Sequence, residues 1–127
     1  MNRALISIGS NINPEMNLDI SRRLLIEHLG EVSFTGMIET QPYGKQYAGK
    51  FLNQLAVAYT TQSLEEVTAA TKEIERLLGR LPEHKQQGIV KSDIDVFGWN
   101  GKIIRDEDYN RPYVQDLLPQ LEELLGF

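Results

Sequence analysis

Asp93 and Asp95 are the residues whose type and spacing most clearly suggest chemistry. They alternate with Ile94 and Val96, a period typical of a β-strand, so both carboxylates would project from the face opposite the two aliphatic side chains. Their Cα atoms would lie roughly 7 Å apart, and the two charges would repel each other unless a cation lies between them. Mg²⁺ favours one or two carboxylates together with phosphate oxygens. The pair therefore predicts a magnesium site for a nucleotide polyphosphate; the alternative is a charged strand face exposed to water.

Composition restricts the classes of protein to which the chain could belong. Its 127 residues include 13 basic and 18 acidic side chains, a net charge of −5, and 41% of its residues are hydrophobic, which predicts one domain over residues 1–127 with its own core. The absence of cysteine excludes disulfides, thiolate metal sites and cysteine nucleophiles. No apolar run approaches the ~20 residues that span a membrane. We expect a cytoplasmic domain without a membrane or nucleic-acid partner, because both partners favour a cationic surface.

Four segments have the alternation or β-branched content of strands. They are residues 3–9, 32–40, 51–60 and 92–98. Asn100-Gly101 is a hairpin signal that predicts a short additional strand at 102–105. Proline, glycine and polar residues predict loops at 41–50 and 80–91, the second of them mobile.

Three segments have helical signals. Asn13-Pro14 and Gly30 bound a helix whose apolar face would consist of Met16, Ile20, Leu24 and Leu25. Ser63 and Glu66 form a capping-box pattern that begins a second helix ending at Gly79, and residues 112–125 predict an amphipathic terminal helix. The order β-α-β-β-α-β predicts an α+β, ferredoxin-like two-layer sandwich with an extra C-terminal hairpin strand and helix. This fold has many unrelated functions, so it does not predict the chemistry.

Six segments, in this order and spacing, resemble the 6-hydroxymethyl-7,8-dihydropterin pyrophosphokinase family. They are ISIGSN at 6–11, ETQPYG at 39–44, FLNQLAVAYTT at 51–61, IERLLGR at 74–80, SDIDVFGWN at 92–100 after Gly88, and NRPYV at 110–114. The family transfers diphosphate from ATP to a pterin alcohol in folate biosynthesis. The resemblance therefore implies ATP as co-substrate, a reduced pterin as acceptor and two Mg²⁺ ions.

The resemblance also implies roles for single residues. Asp93 and Asp95 match the magnesium-binding aspartates and are catalytic together with Arg80 and Lys91. Residues that match the pterin site are the stacking aromatics Phe51 and Tyr113, the hydrogen-bonding Asn53, and the loop residues Thr40, Pro42 and Tyr43. Residues that match the nucleotide site are Glu75, Arg111 and, in place of a family histidine, Arg105.

The chain departs from the family pattern at several basic positions. The stretch GIVKSDIDV at 88–96 lacks the proline and arginine that the family has before its aspartates, and Pro82 and Gln87 replace a basic and an aromatic residue. Two alternatives follow, an active diphosphotransferase and a degenerate paralogue that binds nucleotide or pterin with feeble turnover. A third alternative, an RNA-binding ferredoxin-like domain, would need a basic sheet face with interleaved aromatics, and the sequence contains neither.

Overall fold

The computed structural model describes residues 1–42, 47 and 49–126. Its strands are β1 (Asn2–Ser10), β2 (Glu31–Thr40), β3 (Phe51–Thr60), β4 (Asp93–Trp99) and β5 (Lys102–Ile103). Its helices are α1 (Pro14–Leu29), α2 (Leu64–Leu77), α3 (His84–Gln87), α4 (Asp106–Tyr109) and α5 (Pro112–Leu125). None of the helices described is long and apolar enough to cross a membrane. The one-turn helices α3 and α4 are not predicted from the sequence, and β5 is shorter than predicted.

All strand pairs in the single sheet are antiparallel, in the order β2-β3-β1-β4-β5. The central strand β1 pairs with β3 and with β4, so that Gly9 lies opposite Asp93 and Ser7 opposite Asp95. This order, with α1 and α2 as the crossover helices, confirms the predicted ferredoxin-like plan.

The sheet has a hydrophobic core on each face. On one face α1 and α2 bury the aliphatic residues of the central strands, including Ile6, Ile8, Ala56, Ile94 and Val96. On the other face α5 packs against β2 and β3 and buries Leu55, Val57 and Phe97 beneath Tyr113, Val114, Leu117 and Leu121. Strands β1, β3 and β4 therefore supply both cores through their period of two, and β4 directs its two aspartates to the same side as α5.

Two local predictions are confirmed by hydrogen bonds and dihedral angles. The Glu66 backbone N–H donates to Ser63 Oγ at 3.1 Å, and the Ser63 backbone N–H donates to Glu66 Oε1 at 3.0 Å, so α2 begins with a complete capping box. Asn100 and Gly101 both have positive φ, 50° and 84°, as the tight β4–β5 turn requires.

The predicted apolar face of α1 is wrong in part. Met16 is exposed, and the buried side of the helix consists of Asn17, Leu18, Ser21, Leu25 and Leu29. Polar residues can be buried there because their hydrogen bonds are local: Asn17 Nδ2 donates to the Ile12 carbonyl at 2.7 Å, and Ser21 Oγ donates to the Asn17 carbonyl at 2.7 Å. Asn13 is the N-cap residue and Pro14 lies in the first turn, as predicted, although the Asn13 side chain makes no capping hydrogen bond.

The predicted single-face alternation of β2 is wrong as well. The register shifts between Phe34 and Met37, so Phe34 packs into the core beneath α1 and α2 whereas Ile38 packs against the α5 core. Thr35 is buried at this irregularity, where its Oγ1 accepts a hydrogen bond from the Leu55 backbone N–H at 3.0 Å. A bulge changes the face of every residue after it, which strict alternation cannot represent.

Candidate functional site

Asp93 and Asp95 lie on the α5 side of β4 and line the same small cavity of about 70 Å³. The intervening Ile94 is fully buried in the opposite core, as the strand period predicts. The other residues around this cavity are Ser7, Gly9, Tyr47, Phe51, Asn53, Val90, Arg111 and Tyr113. Strand pairing thus brings the two carboxylates beside Phe51 and Asn53, and α5 adds Tyr113. These are three of the six residues predicted for the pterin site.

Asn53 is buried, and its two amide atoms have different surroundings. Its Nδ2 donates to Thr40 Oγ1 at 2.7 Å, which fixes the plane of the side chain. Its Oδ1 lies 2.9 Å from the position that a Cβ on Gly9 would take, so any larger residue at position 9 would clash with it. Gly9 and Asn53 are register partners on β1 and β3, which explains why the amide can lie in this gap.

Aromatic side chains border the same cavity. The Phe51 ring packs edge to face with Tyr47, at 5.0 Å between centroids and 82° between planes. Tyr113, at the start of α5, is buried in the core beneath that helix. Pro42 is half-buried in the segment that follows β2, and Tyr43 lies outside the described residues.

The electrostatics of the pair favour a cation. Burial, followed by the charges of Asp95 and Glu75, raises the pKa of Asp93 from 3.8 to about 6, although Lys72 and Arg80 act in the opposite direction. A bound cation would relieve this accumulation of negative charge.

The residues fit a metal ion that shares its coordination with a substrate. No three His, Asp or Glu side chains come together as a metal cluster within residues 1–42, 47 and 49–126. The two oxygen-donor side chains of Asp93 and Asp95 are what Mg²⁺ uses when substrate phosphates and water complete its coordination.

The free edge of β4 is held by two side chains from α2. Glu75 Oε2 accepts a hydrogen bond from the Ile94 backbone N–H at 2.8 Å, and Lys72 Nζ donates to the Ile94 carbonyl at 3.3 Å. Glu75 Oε1 also accepts from Arg80 at 2.7 Å, and Lys72 lies 3.7 Å from Asp95. Because Glu75 is buried, it fixes both the strand that carries the aspartates and the guanidinium of Arg80. Its nucleotide-binding role stays a prediction.

A larger cleft of about 680 Å³ lies between residues 80–91 and β4. The basic side chains of Arg80, Lys85 and Lys91 line it together with Asp93. Lys91 Nζ is directed to the end of α2, 3.1 Å from the position of a Cβ on Gly79. The cleft therefore presents cations beside one of the two aspartates.

Asn11 fixes the end of this segment nearest β4. Its Nδ2 donates to the Gly88 carbonyl at 2.8 Å, and its Oδ1 accepts from the Val90 backbone N–H at 2.7 Å. Its own backbone N–H donates to the Val90 carbonyl at 2.9 Å. One side of the large cleft is thus anchored to the end of β1.

The two arginines predicted for the nucleotide site, Arg105 and Arg111, form ion pairs with the same acidic residue. Arg105 and Arg111 both form ion pairs with Asp108, at 2.6 and 3.3 Å. Arg105 NH1 also donates to Asp95 Oδ1 at 3.2 Å. A third cavity, of about 130 Å³, is bordered by Lys72, Asp95 and Arg105, so Asp95 lies between two cavities.

Several residues of this region were not predicted as site residues. Those whose side chains make the contacts described above include Asn11, Tyr47, Lys72 and Asp108. Lys72 lies three residues before Glu75, a helical spacing that places both on one face, and Asp108 lies three residues from both Arg105 and Arg111. These spacings could have indicated the ion pairs, whereas no local pattern indicates Asn11 or Tyr47.

Comparison with family models gives a match over most of the chain. The model of the family described as 7,8-dihydro-6-hydroxymethylpterin-pyrophosphokinase (HPPK) matches residues 5–123. No curated protein matches the chain. Among solved structures, B. subtilis GlnK is 14% identical with a TM-score of 0.38, over 76% of this chain and 84% of that chain. A de novo designed protein with a ferredoxin fold is 13% identical with a TM-score of 0.32, over 75% and 82%. Neither of these two structural similarities bears on function.

Proposed function

The chain belongs to the 7,8-dihydro-6-hydroxymethylpterin-pyrophosphokinase family of folate biosynthesis, and we propose that it transfers diphosphate from ATP to 6-hydroxymethyl-7,8-dihydropterin. The observation that carries this proposal is the single cavity that Asp93 and Asp95 share with Phe51, Asn53 and Tyr113. Such an arrangement puts oxygen ligands for a metal ion beside residues suited to a flat, polar-edged ring.

Asp93 and Asp95 would hold Mg²⁺, which when bound neutralises polyphosphate charge and orients the phosphates. The other groups of this chain bind and orient the two substrates. Phe51 and Tyr113 would contact the faces of the pterin ring, and the fixed amide of Asn53 would hydrogen-bond its edge.

Basic side chains would stabilise the transferring group. Arg80, Lys91, Arg105 and Arg111 border the cavities around the aspartates and can neutralise charge on the phosphate oxygens. The pterin hydroxyl oxygen attacks the β-phosphorus, the bond from that phosphorus to the α,β-bridging oxygen breaks, and AMP leaves while the hydroxyl proton passes to water. Positioning and charge neutralisation would carry the rate.

The second candidate is a binding module that holds nucleotide and pterin with feeble turnover. It is favoured by Pro82 and by the missing arginine before Asp93, because removal of a transition-state arginine costs about 10³–10⁵ in rate. Arg80 is moreover already paired with Glu75.

Incubation with ATP, Mg²⁺ and 6-hydroxymethyl-7,8-dihydropterin, with AMP as the measured product, separates the two functions. We expect AMP to form only when the pterin is present. Calorimetric binding of both ligands without AMP would establish the module, and absence of binding would exclude both proposals.

Asp95→Ala should abolish Mg²⁺-dependent ATP binding while the melting temperature of the ligand-free protein changes little. Asp116→Ala, at an exposed acid of α5, is the matched control and should bind as the wild type does. Unchanged ATP affinity in Asp95→Ala would refute the metal assignment.

A further inference from the structure

Asp108 is a buried acid that the proposed chemistry does not use. Only 2% of its surface is exposed, although it lies on the four-residue helix α4 at the edge of the domain. Buried carboxylates are costly unless cations or hydrogen bonds compensate them. The two cations beside it are Arg105 and Arg111, each three residues away along the chain.

The two oxygens of Asp108 are shared between these arginines. Oδ2 lies 2.6 Å from Arg105 Nε, and Oδ1 lies 3.3 Å from Arg111 NH2. Without the carboxylate, the two positive side chains, at the starts of α4 and α5, would repel each other. The carboxylate therefore holds both in fixed positions by their shared attraction.

Each of the two arginines faces a different cavity. Arg111 lines the small cavity that contains both aspartates, and Arg105 lines the cavity on the other side of Asp95. About half of the Arg105 side chain and a third of that of Arg111 remain exposed, against 3% for Asp108. Asp108 is thus buried, while the two guanidinium groups reach solvent, where an anionic ligand could bind them.

Two contacts hold α4 and the residues just before it against β4. The backbone N–H of Ile104 donates to the Phe97 carbonyl at 2.8 Å, and the Tyr109 ring packs on that of Phe97 at 6.4 Å between centroids. Because Phe97 is two residues from Asp95, α4 is fixed relative to the aspartate that accepts a hydrogen bond from Arg105.

We propose that Asp108 is a positioning residue that pre-orients Arg105 and Arg111 as a pair for the phosphate groups of the nucleotide; this inference rests on the proposed function. An arginine held in place before binding loses less conformational freedom when it meets a phosphate, and its planar donors then match the phosphate oxygens. The pair places one cation on each side of Asp95.

The test is calorimetric binding of Mg-ATP and of inorganic tripolyphosphate to Asp108→Asn, which has almost the same shape without the charge. We expect both affinities to fall by about tenfold or more, because the guanidinium groups of Arg105 and Arg111 would no longer be held in position. Pterin affinity should stay the same. Asp106→Asn, an exposed acid on the same helical turn, is the matched control and should bind all three ligands normally.

A double-mutant cycle distinguishes positioning from a general loss of structure. If Asp108 acts through the arginines, Asp108→Asn should weaken tripolyphosphate binding much less in an Arg105→Met/Arg111→Met background than in the wild type. Equal losses in both backgrounds would indicate a merely structural role and overturn the inference.

A spectroscopic measurement on the wild-type protein does not depend on the folding of any variant. The Nε order parameter of Arg105, measured by NMR relaxation, should be higher than that of Arg23, whose side chain is 75% exposed. Equal order parameters would contradict the anchored geometry. Failure of the wild type to bind ATP or tripolyphosphate would reject the proposed function and this inference together. Tight binding by both the wild type and Asp108→Asn would reject this inference alone.

Discussion

Replacement of Asp93 by Asn should stabilise the ligand-free protein at neutral pH, even though it removes a group on which the proposed function depends. Burial and the charges of Asp95 and Glu75 raise the pKa of Asp93 from 3.8 to about 6. Above pH 6 the folded protein must therefore carry an ionised carboxylate in an unfavourable site, whereas the unfolded chain exposes the same charge to water. The asparagine variant carries no charge in either state.

The size of the effect follows from proton linkage. A carboxyl group whose pKa rises from 3.8 to about 6 on folding costs about 3 kcal/mol of unfolding free energy when it is ionised in both states. The cost is absent below pH 3.8, where both states are protonated, and grows as the pH increases to 6. Because the buried amide also loses hydrogen bonds with water, we expect a net gain of about 1–3 kcal/mol at pH 7.5.

Urea denaturation of both proteins at several pH values from 4 to 8, without Mg²⁺, measures the effect. The advantage of the asparagine variant in unfolding free energy should be smallest at the lowest pH and should grow by about 2 kcal/mol or more towards neutrality. Asp116→Asn, at an exposed position of α5, is the matched control, and its unfolding free energy at pH 7.5 should stay within about 0.5 kcal/mol of the wild type. A variant that is less stable than the wild type at pH 7.5, or a difference that does not change with pH, would refute the reasoning.

Two further predictions concern the proposed pterin site and the fold. Phe51→Ala should weaken pterin binding by about 10- to 100-fold, since stacking on an aromatic ring contributes about 1–3 kcal/mol, and should leave ATP affinity much less affected; equal losses in calorimetry would contradict the stacking role. Ser63→Ala should lower the unfolding free energy by about 1 kcal/mol, measured by urea denaturation, because it removes half of the capping box of α2. An unchanged denaturation midpoint would show that the capping box does not stabilise α2.

Short-range patterns were enough to predict most of the fold. The capping box of Ser63 and Glu66, the turn at Asn100-Gly101 and the alternation around Asp93 depend on residues adjacent in sequence, and the structure contains all three features. Their order along the chain then selects the ferredoxin-like plan, since few topologies suit β-α-β-β-α-β.

Long-range contacts account for what the sequence could not predict. The bulge of β2 lies at Thr35, whose hydroxyl accepts a hydrogen bond from the Leu55 backbone N–H on the neighbouring strand. The Asn11 side chain likewise forms hydrogen bonds with the backbone of Gly88 and Val90, which are 77 and 79 residues away in sequence. Such residues are ordinary polar side chains in sequence, and only the folded arrangement identifies their partners.

The cations beside the aspartates also come from unexpected elements. The family pattern has an arginine in the stretch just before its aspartates, which this chain lacks. Here Asp95 instead accepts a hydrogen bond from Arg105, which precedes α4, and has Lys72 of α2 at 3.7 Å. Diphosphate transfer depends on where positive charge lies in space and not on its place along the chain. The missing arginine is therefore weak evidence against turnover, because two other elements supply positive charge to the same carboxylate.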